Sequence, residues 1–199
     1  MAHLLGLTGG LASGKSTVAR LLAERGCQVV DADRLVAELY RPGEPGAEAV
    51  RDLFGDEALD GTGAVDHASV AEKVFADPAE RRRLEQAIHP LVRRRFEAVA
   101  RAATEPCVVL EATLLVEAGF ADDFDLVVTV EAPGALRLER AVARGLPEAA
   151  ARARLEAQGE GDERRARADR VLVNDGTLED LERQVDDLLA ALAETPGAA

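Results

Sequence analysis

The sequence predicts an α/β fold in which helices flank a five-stranded parallel sheet. Short apolar runs alternate with helical patterns along the chain, as is typical of strand–helix–strand units. Hydrophobic residues make up 47% of the chain and aromatic residues only 3%, so we expect an aliphatic core. A length of 199 residues suits one main domain with appended segments.

The predicted strands are short runs rich in Leu and β-branched residues, each followed by a turn or helix signal. They are His3 to Thr8, Cys27 to Asp31, Cys107 to Glu111, Asp125 to Glu131 and Arg170 to Val173. Crossover helices are predicted from Lys15, Pro133 and Thr177. The last helix carries an apolar stripe that should pack on the sheet, formed by Leu178, Leu181, Val185, Leu188, Leu189 and Leu192.

Two segments are longer than a crossover between parallel strands requires. About 75 residues separate the second and third strands, and within them Asp77-Pro78 opens a long helix. A second excursion is rich in arginine. We therefore expect a core of residues 1–32, 104–136 and 168–199, a helical insertion at 33–103, and a separate segment at 137–167.

Charge and composition exclude several classes of protein. The net charge of −13 argues against nucleic-acid binding and against attachment to an anionic membrane. No apolar stretch approaches the length needed to span a bilayer, and the N-terminus does not resemble a signal peptide, so we expect a cytoplasmic protein. Cys27 and Cys107 lie in apolar runs without metal-site spacing, which favours a role as core residues.

A phosphate-binding loop follows the first predicted strand. Residues 9–16 match G-x-x-x-x-G-K-[ST] and directly precede a predicted helix, as this motif requires. Backbone N–H groups of such a loop surround an anion, and the helix N-terminus points at the same place. We expect ATP to contact Gly9, Gly10, Leu11, Ala12, Ser13, Gly14, Lys15, Ser16 and Thr17, with Lys15 on the β and γ phosphates and Ser16 on Mg²⁺.

The rest of the sequence favours a small-molecule kinase over other proteins with this loop. A GTPase needs an N-K-x-D motif, whereas the single asparagine, Asn174, precedes Asp175-Gly176. A motor ATPase usually has a strand ending in Asp-Glu, whereas the third strand ends in Glu111-Ala112. We therefore interpret 33–103 as a substrate-binding insertion and 137–167 as a lid that excludes water.

Two interpretations of Asp33 are open from spacing alone. Asp31-Ala32-Asp33 follows the second strand, where an acceptor hydroxyl would lie in a parallel sheet, so Asp33 is a candidate general base. Alternatively, Asp33 only caps a helix from Arg34 to Tyr40. The two roles are compatible.

Six segments together resemble the dephospho-coenzyme A kinase family over nearly the whole chain. They are GLTGGLASGKST, DADRLVAELY, RRLEQAIHPLVRRRF, VLEATLLVEAGF, LRLERAVARG and ADRVLVNDGTLEDLERQV. The resemblance implies a P-loop kinase fold and transfer of the γ-phosphoryl group of MgATP to the ribose 3′-hydroxyl of dephospho-coenzyme A, the last step of coenzyme A synthesis. It also implies a helical domain for coenzyme A and a lid, and it leaves the oligomeric state open.

The resemblance implies site residues beyond the loop. Asp33 would be the base, with Lys15 and Arg140 as further catalytic residues. His89 and Arg137 would contact the acceptor, although a His before Pro in an arginine-rich helix more often has a structural role. Arg137, Arg140 and Arg144 fall on one helix face, which suits contact with phosphates; a solvated arginine face is the less favoured alternative, with most weight at Arg144. Asn174 would face adenine, although an Asn-Asp-Gly turn needs no ligand.

The third strand departs from the family pattern. At the end of this strand the family's sequence pattern resembles D-x-P-L-L, whereas this chain has Glu111-Ala112-Thr113-Leu114-Leu115. A role for Glu111 at Mg²⁺ is therefore open, with Glu117 as the alternative. The other classes consistent with the sequence are a P-loop kinase of another small metabolite and an ATP-dependent switch protein without phosphoryl transfer.

Overall fold

The computed structural model describes residues 2–116, 118–159 and 161–194. They divide into two compact units. The first unit comprises Met1–Val30 and Ala100–Ala199, and the second comprises Asp31–Val99. The first unit contains the phosphate-loop motif, and the second begins at the carboxylates that follow the second strand.

Five strands form one sheet in the order β2–β3–β1–β4–β5. They are β1 (His3–Gly9), β2 (Gln28–Asp31), β3 (Cys107–Glu111), β4 (Leu126–Glu131) and β5 (Arg170–Val173). The central strand β1 pairs in parallel with β3 and β4, and β4 pairs in parallel with β5. The predicted five-stranded parallel sheet is confirmed, and each strand end lies at or next to the predicted residue.

Helices occupy most of the remaining described chain. In chain order they are α1 (Lys15–Glu24), α2 (Ala32–Leu39), α3 (Pro45–Phe54), α4 (His67–Ala76), α5 (Pro78–Ala102), α6 (Gly134–Ala143), α7 (Glu148–Gln158), α8 (Asp162–Arg167) and α9 (Leu178–Glu194). Short 3₁₀ turns lie at Asp56–Ala58 and Ala121–Asp123. The predicted helix starts near Lys15, Pro133 and Thr177 are confirmed.

The core of the first unit is aliphatic, as predicted. The buried faces of β1, β3 and β4 pack with α1 and α9 into one cluster. From the predicted α9 stripe, Leu181, Val185, Leu188 and Leu192 are buried, whereas Leu178 is 46% exposed because it is the first residue of the helix. This packing fixes β1 against α1, and so holds both ends of the loop between them.

Both cysteines are buried and free in this cluster. Contact with the Cys27 thiol and burial raise the pKa of the Cys107 thiol. A buried thiol with a raised pKa is inert, which describes Cys107, whereas contact with Cys107 lowers the pKa of the Cys27 thiol. Since both side chains are buried in the aliphatic cluster, the prediction that the cysteines are core residues is confirmed.

The second unit is helical, and aspartates begin several of its helices. The Asp66 carboxylate accepts hydrogen bonds from the N–H groups of Ala68 and Ser69 at the start of α4. The Asp77 carboxylate accepts from Ala79 N–H at 2.7 Å, directly before α5, which confirms the predicted start of the long helix. Aspartates suit these positions because the first N–H groups of a helix have no partner within it.

Candidate functional site

The phosphate loop connects the end of β1 to the start of α1. Gly14 is the N-cap of α1 with φ 105°, a left-handed conformation that glycine adopts without strain. The N–H groups of Thr17 and Val18 donate to the Gly14 carbonyl. The first turn of α1 contains no acidic residue, so no side chain of the helix itself offsets the partial positive charge of its N-terminus. The loop is therefore built to receive an anion.

Lys15 and Ser16 share one acceptor, the Glu111 carboxylate at the end of β3. Lys15 Nζ donates to Glu111 Oε1 at 2.8 Å, and Ser16 Oγ donates to the same oxygen at 3.0 Å. The Lys15 and Glu111 side chains are only 16% and 12% exposed. Glu111 therefore lies in contact with two side chains of the phosphate loop. Glu117, the alternative to Glu111, lies outside the described residues.

The contact between Ser16 and Glu111 fits a hard divalent cation. A hydroxyl and a carboxylate oxygen are ligands that Mg²⁺ prefers, together with phosphate oxygens and water. The described part of the chain contains no group of three or more His, Cys, Asp or Glu side chains that could hold a metal ion. A cation here would therefore take most of its ligands from nucleotide and solvent, as is usual for Mg²⁺ in kinases.

Asn174 follows β5 and contacts the loop directly. Its Nδ2 donates to the Ser13 carbonyl at 2.7 Å. Arg140 of α6 donates from Nη1 to the Asn174 carbonyl at 3.0 Å and from Nη2 to Oδ1 at 3.5 Å. Asn174 and Arg140, both predicted site residues, are therefore brought together beside the phosphate loop.

The three arginines of α6 occupy different environments. Arg137 is buried against the loop, where Nε donates to the Leu11 carbonyl at 2.9 Å. Arg140 is half-buried, and Arg144 is exposed at the C-terminal end of the helix. A purely solvated arginine face is therefore wrong for Arg137 and Arg140, but it describes Arg144. The structure places Arg137 at the backbone of the nucleotide-binding loop.

Four further polar side chains in this region were not predicted from the sequence. The Gln158 Oε1 accepts from Leu11 N–H at 2.8 Å. Arg164 and Glu131 are both buried, with Arg164 Nε 3.5 Å from Glu131 Oε1. Thr129 Oγ1 donates to the same Glu131 oxygen. The sequence signal for the pair of Arg164 and Glu131 was a glutamate at the end of the mainly apolar strand β4.

Of the three predicted acceptor-side residues, Asp33 and His89 lie in the second unit, whereas Arg137 lies in the first. Asp33 is exposed in the first turn of α2, and its own N–H donates to Asp31 Oδ1 at 2.8 Å. Asp31 is therefore the N-cap, and the predicted capping role of Asp33 for a helix from Arg34 is wrong. The cap falls at Asp31 because α2 begins at Ala32, directly after β2.

His89 lies in the middle of α5 and is half-buried. Burial lowers the pKa of His89, and the nearby Arg93 lowers it further, while Glu85 acts in the opposite direction. The imidazole is therefore predominantly neutral at pH 7. A neutral His can donate or accept a hydrogen bond without a charge to be matched.

No helix in the described ranges has both the length and the apolar character needed to cross a membrane.

Comparison with known proteins identifies the family. The family profile described as dephospho-CoA kinase matches residues 3–180. A dephospho-CoA kinase from Streptomyces avermitilis is 44% identical over 198 residues, covering 97% of each chain. The crystal structure of TT1252 from Thermus thermophilus is 40% identical with a TM-score of 0.82, covering 96% of this chain and 98% of that one.

A dephospho-CoA kinase from Campylobacter jejuni has the same fold, with a TM-score of 0.69 at 22% identity over 98% of each chain. The P-loop kinase fold predicted from the sequence is thereby confirmed. Since the family profile covers most of the chain and the relatives match it nearly end to end, the chain belongs to the dephospho-CoA kinase family of kinases.

Proposed function

We propose that the protein transfers the γ-phosphoryl group of ATP to the ribose 3′-hydroxyl of dephospho-coenzyme A, giving coenzyme A and ADP. The observation that carries this proposal is the complete phosphate loop, with Lys15 and Ser16 directed at one oxygen, in a chain of the dephospho-CoA kinase family. The reaction would be the last step of coenzyme A synthesis.

The nucleotide would bind along the loop from Gly9 to Thr17. Backbone N–H groups and the α1 N-terminus would hold the phosphates, and Lys15 would neutralise charge on the β and γ groups. Arg140 would contact the γ-phosphoryl group, because its guanidinium donates to the Asn174 carbonyl and so already lies beside the loop. Asn174 would border the adenine.

Mg²⁺ would bind at Ser16, with the Glu111 carboxylate as a direct or water-mediated partner. Held by Ser16 and Glu111, the cation would supply positive charge that offsets the negative charge developing on the phosphates during transfer. To bind the cation, Glu111 Oε1 would give up its hydrogen bond with Lys15 Nζ. The ammonium group of Lys15 would then be available to a phosphate. A longer carboxylate than the family's Asp still reaches Ser16 Oγ, so this residue suits the role.

Asp33 would accept the proton of the 3′-hydroxyl while the hydroxyl oxygen attacks the γ-phosphorus of ATP. The bond between the γ-phosphorus and the bridging oxygen breaks, and ADP leaves with its electrons. Its exposure in the first turn of α2 keeps the carboxylate accessible to an acceptor. His89 would contribute to acceptor binding. Arg137, which the family resemblance also assigned to the acceptor, is buried against the loop backbone and would act on the nucleotide side instead. In this scheme residues 33–103 form the acceptor-binding domain, 137–167 the lid, and 1–32, 104–136 and 168–199 the nucleotide-binding core.

The partners would be the small molecules ATP and dephospho-coenzyme A, in the cytoplasm. The charge of −13 supports this, since it opposes binding to nucleic acid and to anionic membrane surfaces.

An acceptor panel tests the proposal. Purified protein is incubated with radiolabelled ATP, Mg²⁺ and one acceptor, and the products are separated by chromatography and identified by mass. We expect dephospho-coenzyme A to react faster than nucleoside monophosphates or shikimate by orders of magnitude, with one ADP formed per coenzyme A. Lys15→Ala is the negative control. Equal labelling of another acceptor, or ATP hydrolysis without labelled product, would refute the assignment.

A further inference from the structure

Two side chains from the segment after β4 bond to a single residue of the phosphate loop. Leu11 N–H donates to Gln158 Oε1 at 2.8 Å, and the Leu11 carbonyl accepts from Arg137 Nε at 2.9 Å. Arg137 Nη2 also donates to the same Gln158 oxygen, at 3.0 Å. The three residues therefore form a closed ring of hydrogen bonds, which we call the Leu11 clamp.

Close packing fixes the arginine of the Leu11 clamp. Arg137 is 4% exposed, and a Cβ placed on Gly10 would lie 2.2 Å from Arg137 Nη2. The guanidinium therefore lies directly on the loop backbone, in space that only glycine leaves open at position 10. One Gln158 oxygen, accepting from both Arg137 and Leu11, sets where this guanidinium lies relative to the loop.

The clamp acts next to a strained residue. Ala12 has φ 56°, a left-handed conformation that an alanine disfavours. Holding both the N–H and the carbonyl of Leu11 restrains the chain as it enters this conformation. Gln158 is the last residue of α7, which ends at Gly159 with φ 61°.

We propose that Gln158 is a positioning residue for ATP: it orients Arg137 and holds the Leu11 peptide in the conformation that receives the phosphates. It acts through these two residues and needs no contact with substrate. This inference rests on the proposed kinase function and extends it to a residue on α7.

Gln158→Met tests the proposal with little change in size or helix propensity, because Met lacks the acceptor oxygen but fills similar space. We expect the Kd for an unreactive ATP analogue with Mg²⁺ to rise about tenfold, because both hydrogen bonds of the Gln158 oxygen are lost and part of their contribution is transmitted to the loop that binds the phosphates. Gln158→Glu is the conservative variant. It keeps an acceptor oxygen for both donors, so most of the lost affinity should return.

A matched control lies on the same helix. Arg152→Ala removes an exposed pair with Glu148 and leaves the Leu11 clamp intact, so analogue binding should not change. Melting temperatures of all variants are measured alongside. An unchanged Kd in Gln158→Met would overturn the proposal, as would equal weakening in Arg152→Ala.

A double-mutant cycle separates positioning from general stability. If Gln158 acts partly through Arg137, then Gln158→Met should weaken binding by a clearly smaller factor in an Arg137→Met background, where only the contact with Leu11 N–H is left to lose, than in the wild-type background. Independent, additive effects that follow the melting temperatures would show a merely structural role and refute the proposal.

Kinetics add a second readout. With dephospho-coenzyme A as acceptor, Gln158→Met should raise the KM for ATP and leave the KM for the acceptor unchanged. The binding measurements need no phosphoryl transfer, so they test Gln158 even if the acceptor assignment fails. Conversely, normal transfer with unchanged ATP affinity in Gln158→Met would refute this inference alone.

Discussion

Asp33→Asn is the sharpest test of the proposed chemistry, because the structure separates capping from proton transfer. The cap of α2 is Asp31, whose Oδ1 accepts from Asp33 N–H at 2.8 Å. Replacing the Asp33 carboxylate with an amide keeps this backbone hydrogen bond. It removes one negative charge from the first turn of the helix, which costs about 0.5 kcal/mol of stability.

The expected kinetic effect is larger than the effect on stability. A general base contributes roughly 10²–10⁴ in rate. Even a 100-fold loss corresponds to about 2.7 kcal/mol in the activation barrier. If Asp33 accepts the proton, the variant should bind MgATP normally through the loop and transfer the phosphoryl group at least 100-fold more slowly.

Asp31→Ala provides the matched comparison. It removes the cap and should cost about 1 kcal/mol of stability, while leaving the proposed base in place. ATP affinity is measured by titration, stability by denaturant unfolding, and chemistry by single-turnover phosphorylation of dephospho-coenzyme A. Wild-type turnover in Asp33→Asn would refute the assignment, and a larger kinetic loss in Asp31→Ala would transfer it to Asp31.

Three further predictions concern the nucleotide side. Lys15→Ala should lower turnover at least 100-fold with only a small fall in melting temperature, because Ser16 still donates to Glu111; equal activity would exclude this loop. Arg140→Lys removes the two guanidinium N–H groups that donate to Asn174, so turnover should fall even at saturating ATP. A change in KM alone would show that Arg140 contributes only to ground-state binding. EDTA should abolish transfer and added Mg²⁺ restore it; activity persisting in EDTA would contradict a metal at Ser16.

Sequence patterns predicted the sheet and the phosphate loop because both depend on neighbouring residues. Alternating apolar runs define strands, and glycines before Lys15 and Ser16 define the loop wherever a strand precedes and a helix follows. The apolar stripe of α9 was predicted correctly for the same reason, because buried residues repeat with the period of the helix. The α2 cap at Asp31 was missed because either aspartate satisfies the local pattern, and the end of β2 decides between them.

The composition and local order of the chain thus determined the fold class, the family resemblance and the anion-binding loop. Only the tertiary structure decided which distant side chains hold that loop. Gln158 and Leu11 are separated by 147 positions, Asn174 and Ser13 by 161, and Lys15 and Glu111 by 96. A polar side chain at a helix end or strand end carries no periodic signal of its partner. Which partner it meets is set by the strand order that packing of the aliphatic core selects.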